Sequence, residues 1–253
     1  MLIDTHAHLW FPEYENDLEE VMARAKAAGV GKMIVPGTSL ESSKMAIALA
    51  KKYPGVLYAS VGVHPEELLN HNFEETPLGL RELIAENREW IVAIGEIGTD
   101  ASSEELKNCI GEQRELLRKQ CELALEHDLP VIVHTRNSLK KALEVLDGLK
   151  KMPRGQFHCF SHDEAGVKEV LSRGFCVSFC GNIAWSKRVA RLVPLVPIER
   201  LLLETDSPFM LPGKRNEPSN VTITAQMIAD LQGLSLKVVK EQTIKNAKAL
   251  FKL

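Results

Sequence analysis

Short apolar runs alternate with helical stretches along the whole chain, and this alternation is what most constrains its fold. Candidate strands are Leu2–His8, Lys32–Gly37, Leu57–His64, Ile91–Gly98, Pro130–His134, Gly155–Phe160, Phe175–Cys180 and Arg200–Glu204. Candidate helices lie over Asn16–Ala28, Leu40–Tyr53, Leu78–Arg88, Glu104–Asp128, Ser138–Lys150, Glu164–Arg173, Lys187–Leu192 and Leu236–Leu253. Runs such as Val131-Ile132-Val133 and Leu201-Leu202-Leu203 are apolar on consecutive residues. That pattern suits parallel strands covered on both faces. Eight strands alternating with eight helices predict a (β/α)₈ TIM barrel of the α/β class, with residues 1–253 as one domain. A doubly wound open sheet has the same alternation, because pattern alone does not close a barrel.

The punctuation agrees. Gly29 follows the first helical run, Ser102-Ser103-Glu104-Glu105 reads as a helix start, and Pro54-Gly55 separates a helix from the next strand. The longest irregular stretch is Thr205–Asn220, and long loops in compact domains often carry function.

Composition excludes some classes. With a net charge of −3 the chain has no broad basic surface for coating duplex nucleic acid. Cys109, Cys121, Cys159, Cys176 and Cys180 form no CxxC, so free thiols in a reducing compartment are expected rather than a thiolate metal site. The start MLIDTHAHLW reads as neither a signal peptide nor a membrane span. The expectation is a cytoplasmic protein with no membrane association and no obligate protein partner.

Chemistry gathers at the strand ends. His6 and His8 are two residues apart, so strand alternation puts both imidazoles on one face, at the end where barrel active sites are built. Alone, such a pair is usually just polar residue usage near a loop. The arrangement recurs with Glu96, His134, His158 and Asp206, each closing an apolar run. An imidazole or carboxylate buried unpaired at one strand end is costly, and five coincidences are hard to explain. A common metal centre explains them all. The set exceeds one tetrahedral ion, and fits two divalent ions bridged by Glu96. The nitrogen and oxygen donors admit Mg²⁺, Mn²⁺ or Zn²⁺.

The motifs DTHAH, GVHP, GEIGTD, LPVIVHTR, HCFS, ETDSPF and GKRNEPSN, running from Asp4 to Asn220, resemble those of the TatD family, metal-dependent deoxyribonucleases among the amidohydrolase-like barrels. The resemblance implies that His6, His8 and Asp206 hold one metal, His134 and His158 the other, and Glu96 both. It implies that His64 lines the site and contacts the substrate phosphate or stabilises the transition state. Asp4 and Glu204 would accept hydrogen bonds that orient ligands. Arg215 and Asn216 of the long loop would contact phosphate and sugar or base, and Arg136 is a further phosphate candidate. His71, His127 and His162 are left as solvated residues, and Lys187-Arg188 as a helix start.

The sequence departs from the family pattern in three places. Thr99 stands where Leu is usual, Ala101-Ser102-Ser103 follow Asp100 where an aromatic is common, and His162 follows HCFS where Gly is typical. None removes a ligand; the lost aromatic bears on base stacking. The reading is a two-metal phosphodiesterase of single-stranded DNA working from 3′ ends. A metal-bound hydroxide would attack phosphorus and Asp206 would take its proton, with Glu96 and His64 the other catalytic residues. The alternatives are a small-molecule amidohydrolase or lactonase, whose barrels often bridge their metals with a carboxylated lysine where Glu96 stands here, and a non-catalytic metal-stabilised module.

Overall fold

The apolar runs form eight parallel strands in the order β1 to β8 in a computed structural model that describes residues 1–69 and 76–253. The strands are β1 Leu2–Asp4, β2 Val30–Pro36, β3 Leu57–Val61, β4 Ile91–Asp100, β5 Val131–Arg136, β6 Gly155–Phe157, β7 Cys176–Phe179 and β8 Leu201–Leu203. Strictly sequential neighbours, each pair parallel, rule out the doubly wound alternative, whose order reverses partway. The seam between β8 and β1 closes just past the ladder. Thr5 N donates to Leu203 O at 2.9 Å, Asp206 N to His6 O at 2.9 Å and His8 N to Ser207 O at 2.7 Å. Three expected ligands therefore lie in the segments that close the barrel.

Helices α1 Leu18–Ala27, α2 Leu40–Lys52, α3 Thr76–Asn87, α4 Glu104–Asn108, α5 Ile110–Glu126, α6 Leu139–Asp147, α7 Glu164–Ser172, α8 Lys187–Ala190, α9 Val221–Gln232 and α10 Leu236–Phe251 cover the outside. Their apolar faces meet the outward faces of the strands in one large core. A second cluster packs Ile3, Ile34, Ala93, Ile132, Cys176 and Leu202 against one another and against Ala247, Leu250 and Phe251 of α10. Side chains from six strands can meet like this only inside the barrel, which is a packed core and not a pore. Capping follows the sequence. Ser103 accepts from Leu106 N at 3.2 Å to open α4, and Ser39 and Ser42 form a reciprocal capping box on α2.

Several expected bounds need correction; the strands expected to reach His64 and Phe160, for example, end at Val61 and Phe157. The first strand was expected to reach His8 but ends at Asp4, so His6 and His8 stand on the closing segment. The strand expected over Ile91–Gly98 runs on to Asp100, with its register shifted between Ile94 and Ile97. Gly98 makes that irregularity possible, since a Cβ there would sit 1.9 Å from His134 O. The helix expected over Glu104–Asp128 breaks at Cys109, which is non-helical at φ −100° and ψ 20°. Helix α9 was not foreseen, because its first turn, Val221-Thr222-Ile223-Thr224, is β-branched and reads as strand. Among the described residues no helix is long and apolar enough to cross a membrane. The expectation for His71 falls outside the described residues.

Candidate metal centre

Glu96 occupies the middle of the barrel mouth, 4% exposed, and its two oxygens face two different groups of donors. On one side, Oε2 lies 3.2 Å from His6 Nε2 and 3.5 Å from His8 Nε2. The two imidazole nitrogens stand 3.0 Å apart, and Asp206 Oδ1 lies 3.7 and 3.6 Å from them. On the other side, Oε1 lies 2.8 Å from His158 Nε2, 3.1 Å from His134 Nδ1 and 3.4 Å from His64 Nε2. His134 Nδ1 and His158 Nε2 are 3.3 Å apart. The six residues expected as ligands are thus gathered in one place. Among the described residues, His6, His8 and Asp206 form one group of possible ligands, while Glu96 belongs to one group with His6 and His158 and to another with His64 and His134.

The donor geometry fits divalent ions. Ligand atoms about 2.0–2.1 Å from a tetrahedral ion stand about 3.3 Å from one another, the scale of the separations above. His6 Nε2 and His8 Nε2 aim at each other and at two carboxylate oxygens, so a cation between them satisfies all four lone-pair donors. The ring nitrogens on the far sides, His6 Nδ1, His8 Nδ1 and His158 Nδ1, are buried without a hydrogen-bond partner. For His158 the nearest carboxylate oxygen, Glu204 Oε1, is 3.7 Å away.

Two histidines have their tautomers fixed by neighbours. His134 Nε2 pairs with Asp100 Oδ2 at 2.9 Å, so it carries the proton and leaves Nδ1 free to bind. His64 Nδ1 accepts from Glu66 N at 3.3 Å, which puts the proton on Nε2. That nitrogen lies 3.4 Å from Glu96 Oε1, and His64, Glu96 and His134 together form a further group of possible ligands.

Charge is distributed by competition. Burial pushes Glu96 up, but the His158, His64 and His6 imidazoles together hold it well below the usual carboxylate range. Burial opposes protonation of His158, but Glu96 and Glu204 together outweigh it, raising His158 well above its ordinary value. Burial takes Asp4 up to about 8 despite hydrogen bonds from Thr205 and His6 N. Asp4 was expected to orient a ligand ring; instead it ties backbone to backbone across the seam. Its Oδ1 takes His6 N and Thr205 N, both at 3.1 Å, and its Oδ2 takes Thr205 Oγ1 at 2.6 Å. Glu204 likewise accepts from Cys159 N at 2.6 Å and Ser178 Oγ at 2.7 Å, fixing the turn after His158. Asp206 is held in the left-handed backbone region at φ 56°, a conformation tolerated by Asp.

A cavity of about 540 Å³ opens over this cluster. Arg136 is its lining guanidinium and pairs with no acid among the described residues. Arg215 and Asn216 are placed elsewhere. Arg215 clasps Asp17 through both Nη atoms, at 2.7 and 2.6 Å, and also bonds Glu217 and Glu13 O. Asn216 is 2% exposed; its amide donates to Thr205 O, and its carbonyl accepts from Asn220 and from Glu217 N. Neither lines the cavity, because the long loop turns these groups inward to brace itself.

Some site residues escaped the sequence reading. Asp100 closes GEIGTD without an assigned role, although a carboxylate four residues beyond a ligand on the same strand was a usable signal. Phe11 and Phe209 line the cavity and meet edge to face, 5.1 Å between centroids and 86° between planes, both beside His8. Trp10 packs on Phe11 at 4.4 Å. The aromatic missing after Asp100 is thus matched by others across the mouth. The five cysteines are free, with Cys159 and Cys180 Sγ 3.2 Å apart beside Glu204.

Comparison with known proteins agrees. The family model for the TatD related DNase matches residues 3–252. The chain is 36% identical to an uncharacterized metal-dependent hydrolase, YabD, from Bacillus subtilis, over 100% of both chains. It is 34% identical to the 3′-5′ ssDNA/RNA exonuclease TatD of Cronobacter sakazakii, over 99% of this chain and 97% of that one. The crystal structure of YjjV, a TatD homolog from Escherichia coli, superposes with a TM-score of 0.93 at 30% identity, over 100% and 98% of the two chains. With its strand order, its strand-end donors and its match over nearly its whole length, the chain belongs to the TatD family of metal-dependent hydrolases.

Proposed function

We propose that residues 1–253 form one hydrolase domain that removes nucleotides from the 3′ ends of single-stranded DNA, using two divalent ions, Mg²⁺, Mn²⁺ or Zn²⁺. The observation that carries this is the division of Glu96, each oxygen facing its own set of donors beneath a cavity lined by a free guanidinium and by aromatic rings. Relatives named as exonucleases support the choice of substrate. Bound divalent ions supply positive charge for the phosphoryl oxygens and acidify the attacking water.

The chain's residues do the rest. Glu96 holds the two halves of the centre in register. Asp206 points Oδ1 at His6 and His8 and leaves Oδ2 to take the proton released on attack. His64 donates Nε2–H to a phosphoryl oxygen, and Arg136 adds a second donor on the same side of the cavity. Phe11 and Phe209 offer flat faces to a terminal base. Arg215 and Asn216 shape the mouth from behind and touch no substrate. Free thiols suit a reducing compartment, and we place the enzyme in the cytoplasm.

The test uses oligonucleotides labelled at either end with metal-stripped enzyme reconstituted with each ion. Laddering from the 3′ end supports the proposal. Internal nicking of closed circular DNA, or hydrolysis of lactones and amides with no phosphodiester cleavage, would overturn it.

A further inference from the structure

The metal cavity continues into a second cleft. Arg136 and Ser161 line both, and the second, about 1030 Å³, opens along α6 and α7. Each of its acids has a partner within the protein. Asp147 and Glu169 are both bound by Arg173, at 2.7 and 2.6 Å. Glu144 lies 3.2 Å from Arg114, and Asp163 caps α7 by accepting from Gly166 N at 2.7 Å. Its other cations are not neutralised. Arg136, Lys140 and Arg188 line the cleft, and none has an acidic partner among the described residues. Arg188 is held over it by donating to the carbonyls of Ser161 and His162, at the end of the HCFS turn. From sequence alone Lys187-Arg188 is no more than a helix start. The lining holds four cations and four acids, and Arg136, Lys140 and Arg188 are the cations that no acid among the described residues engages.

We propose that this cleft is the track along which the rest of a single-stranded polynucleotide leaves the metal centre, its phosphates meeting Arg136, Lys140 and Arg188. Aromatic rings at the cavity and cations without a paired acid beyond it match the two parts of a nucleotide chain, base at the end and phosphates along the strand. The choice of a nucleic acid rests on the function proposed above; strand binding in the track does not depend on cleavage.

The test is fluorescence anisotropy with metal-loaded enzyme and two single-stranded phosphorothioate probes, a dodecamer and a trinucleotide. Lys140→Glu combined with Arg188→Glu should weaken the dodecamer about tenfold or more and the trinucleotide by about twofold at most. The slope of log affinity against log salt for the dodecamer should flatten by about 0.7 for each phosphate that the variant no longer neutralises. Lys140→Glu alone, on an exposed side chain, should give about half of that flattening and guards against misfolding of the double variant. Equal weakening on the two lengths, no weakening on the dodecamer, or no dodecamer binding by the unmodified enzyme would overturn the track. So would equally good displacement of the strand by an acidic peptide. Hydrolysis of an unmodified trinucleotide is scored separately: its failure removes the exonuclease reading, while the track stands or falls on binding.

Discussion

Two arcs of the barrel mouth carry polar residues and use them in opposite ways. Around Glu96, imidazoles and carboxylates face one another, and three buried ring nitrogens have no hydrogen-bond partner. In the loop after β8, the polar groups of Arg215 and Asn216 are taken up by protein: Asp17, Glu217, Thr205 O and Asn220. In the first arc the Nε2 and carboxylate lone pairs point at one another, which a cation between them relieves, whereas the second arc is complete in itself. Availability, rather than residue type, separates a site from a scaffold.

The sharpest way to break this comparison is to remove a shared donor. Glu96→Ala and His6→Ala should each lose bound metal, and hydrolysis should fall by about 10³-fold or more, the scale of several kcal/mol of charge stabilisation. Metal analysis beside the assay checks it, and full metal stoichiometry in both variants would defeat the ligand assignment. Asn216→Ala, by contrast, should keep its metal.

Next come groups that act one step out. Asp100→Asn should lower metal affinity by about 10–100-fold, because His134 loses the acceptor that fixes its Nε2–H tautomer. Arg136→Ala should keep its metal and lose about 10–100-fold in kcat/KM, the value of a charge-assisted contact of about 1.5–3 kcal/mol. Arg215→Ala should leave kcat/KM nearly unchanged. A larger kinetic loss for Arg215→Ala than for Arg136→Ala would reverse the assignment of the two arginines.

The sequence made the centre legible because its signal repeats: a lone imidazole or carboxylate behind an apolar run is ambiguous, but five strands doing the same are not. Strand order was equally legible, since fully buried parallel strands announce themselves by unbroken apolar runs. Pattern failed where tertiary contacts decide. Nothing local to DTHAH says that β1 stops at Asp4, because the stop is set across the seam, where the Asp4 carboxyl bonds Thr205. The β-branched start of α9 reads as strand until packing overrides propensity. Arg215 and Arg136 both look like phosphate contacts in one dimension. Only Asp17, 198 residues from Arg215 in sequence, shows which guanidinium is already engaged. Phe11 and Phe209 likewise become one wall only when the barrel closes.

The smallest expected effect concerns the brace itself. Asp17 is held at about 2, below its ordinary 3.8, first by the hydrogen bond from Arg215 and further by Arg24. A carboxyl whose folded value lies below its unfolded one stabilises the fold above the unfolded value, and loses that contribution as pH falls through the folded one. With Arg24, Arg215 also holds Glu217 below its ordinary 4.5, so the difference in Tm between the unmodified enzyme and Arg215→Ala should be constant from neutral pH down to near 4.5 and shrink between there and about 2. Both proteins share the same metal centre, so its own titration cancels in the difference. Because the Asp17 side chain is a third exposed to solvent, the gap should be only a few degrees, and it should narrow with added salt. A gap that closed already near pH 6 would mean that histidines of the centre feel the loss of Arg215. The loop would then be coupled to the metal site after all, and the separation between the two arcs would fail.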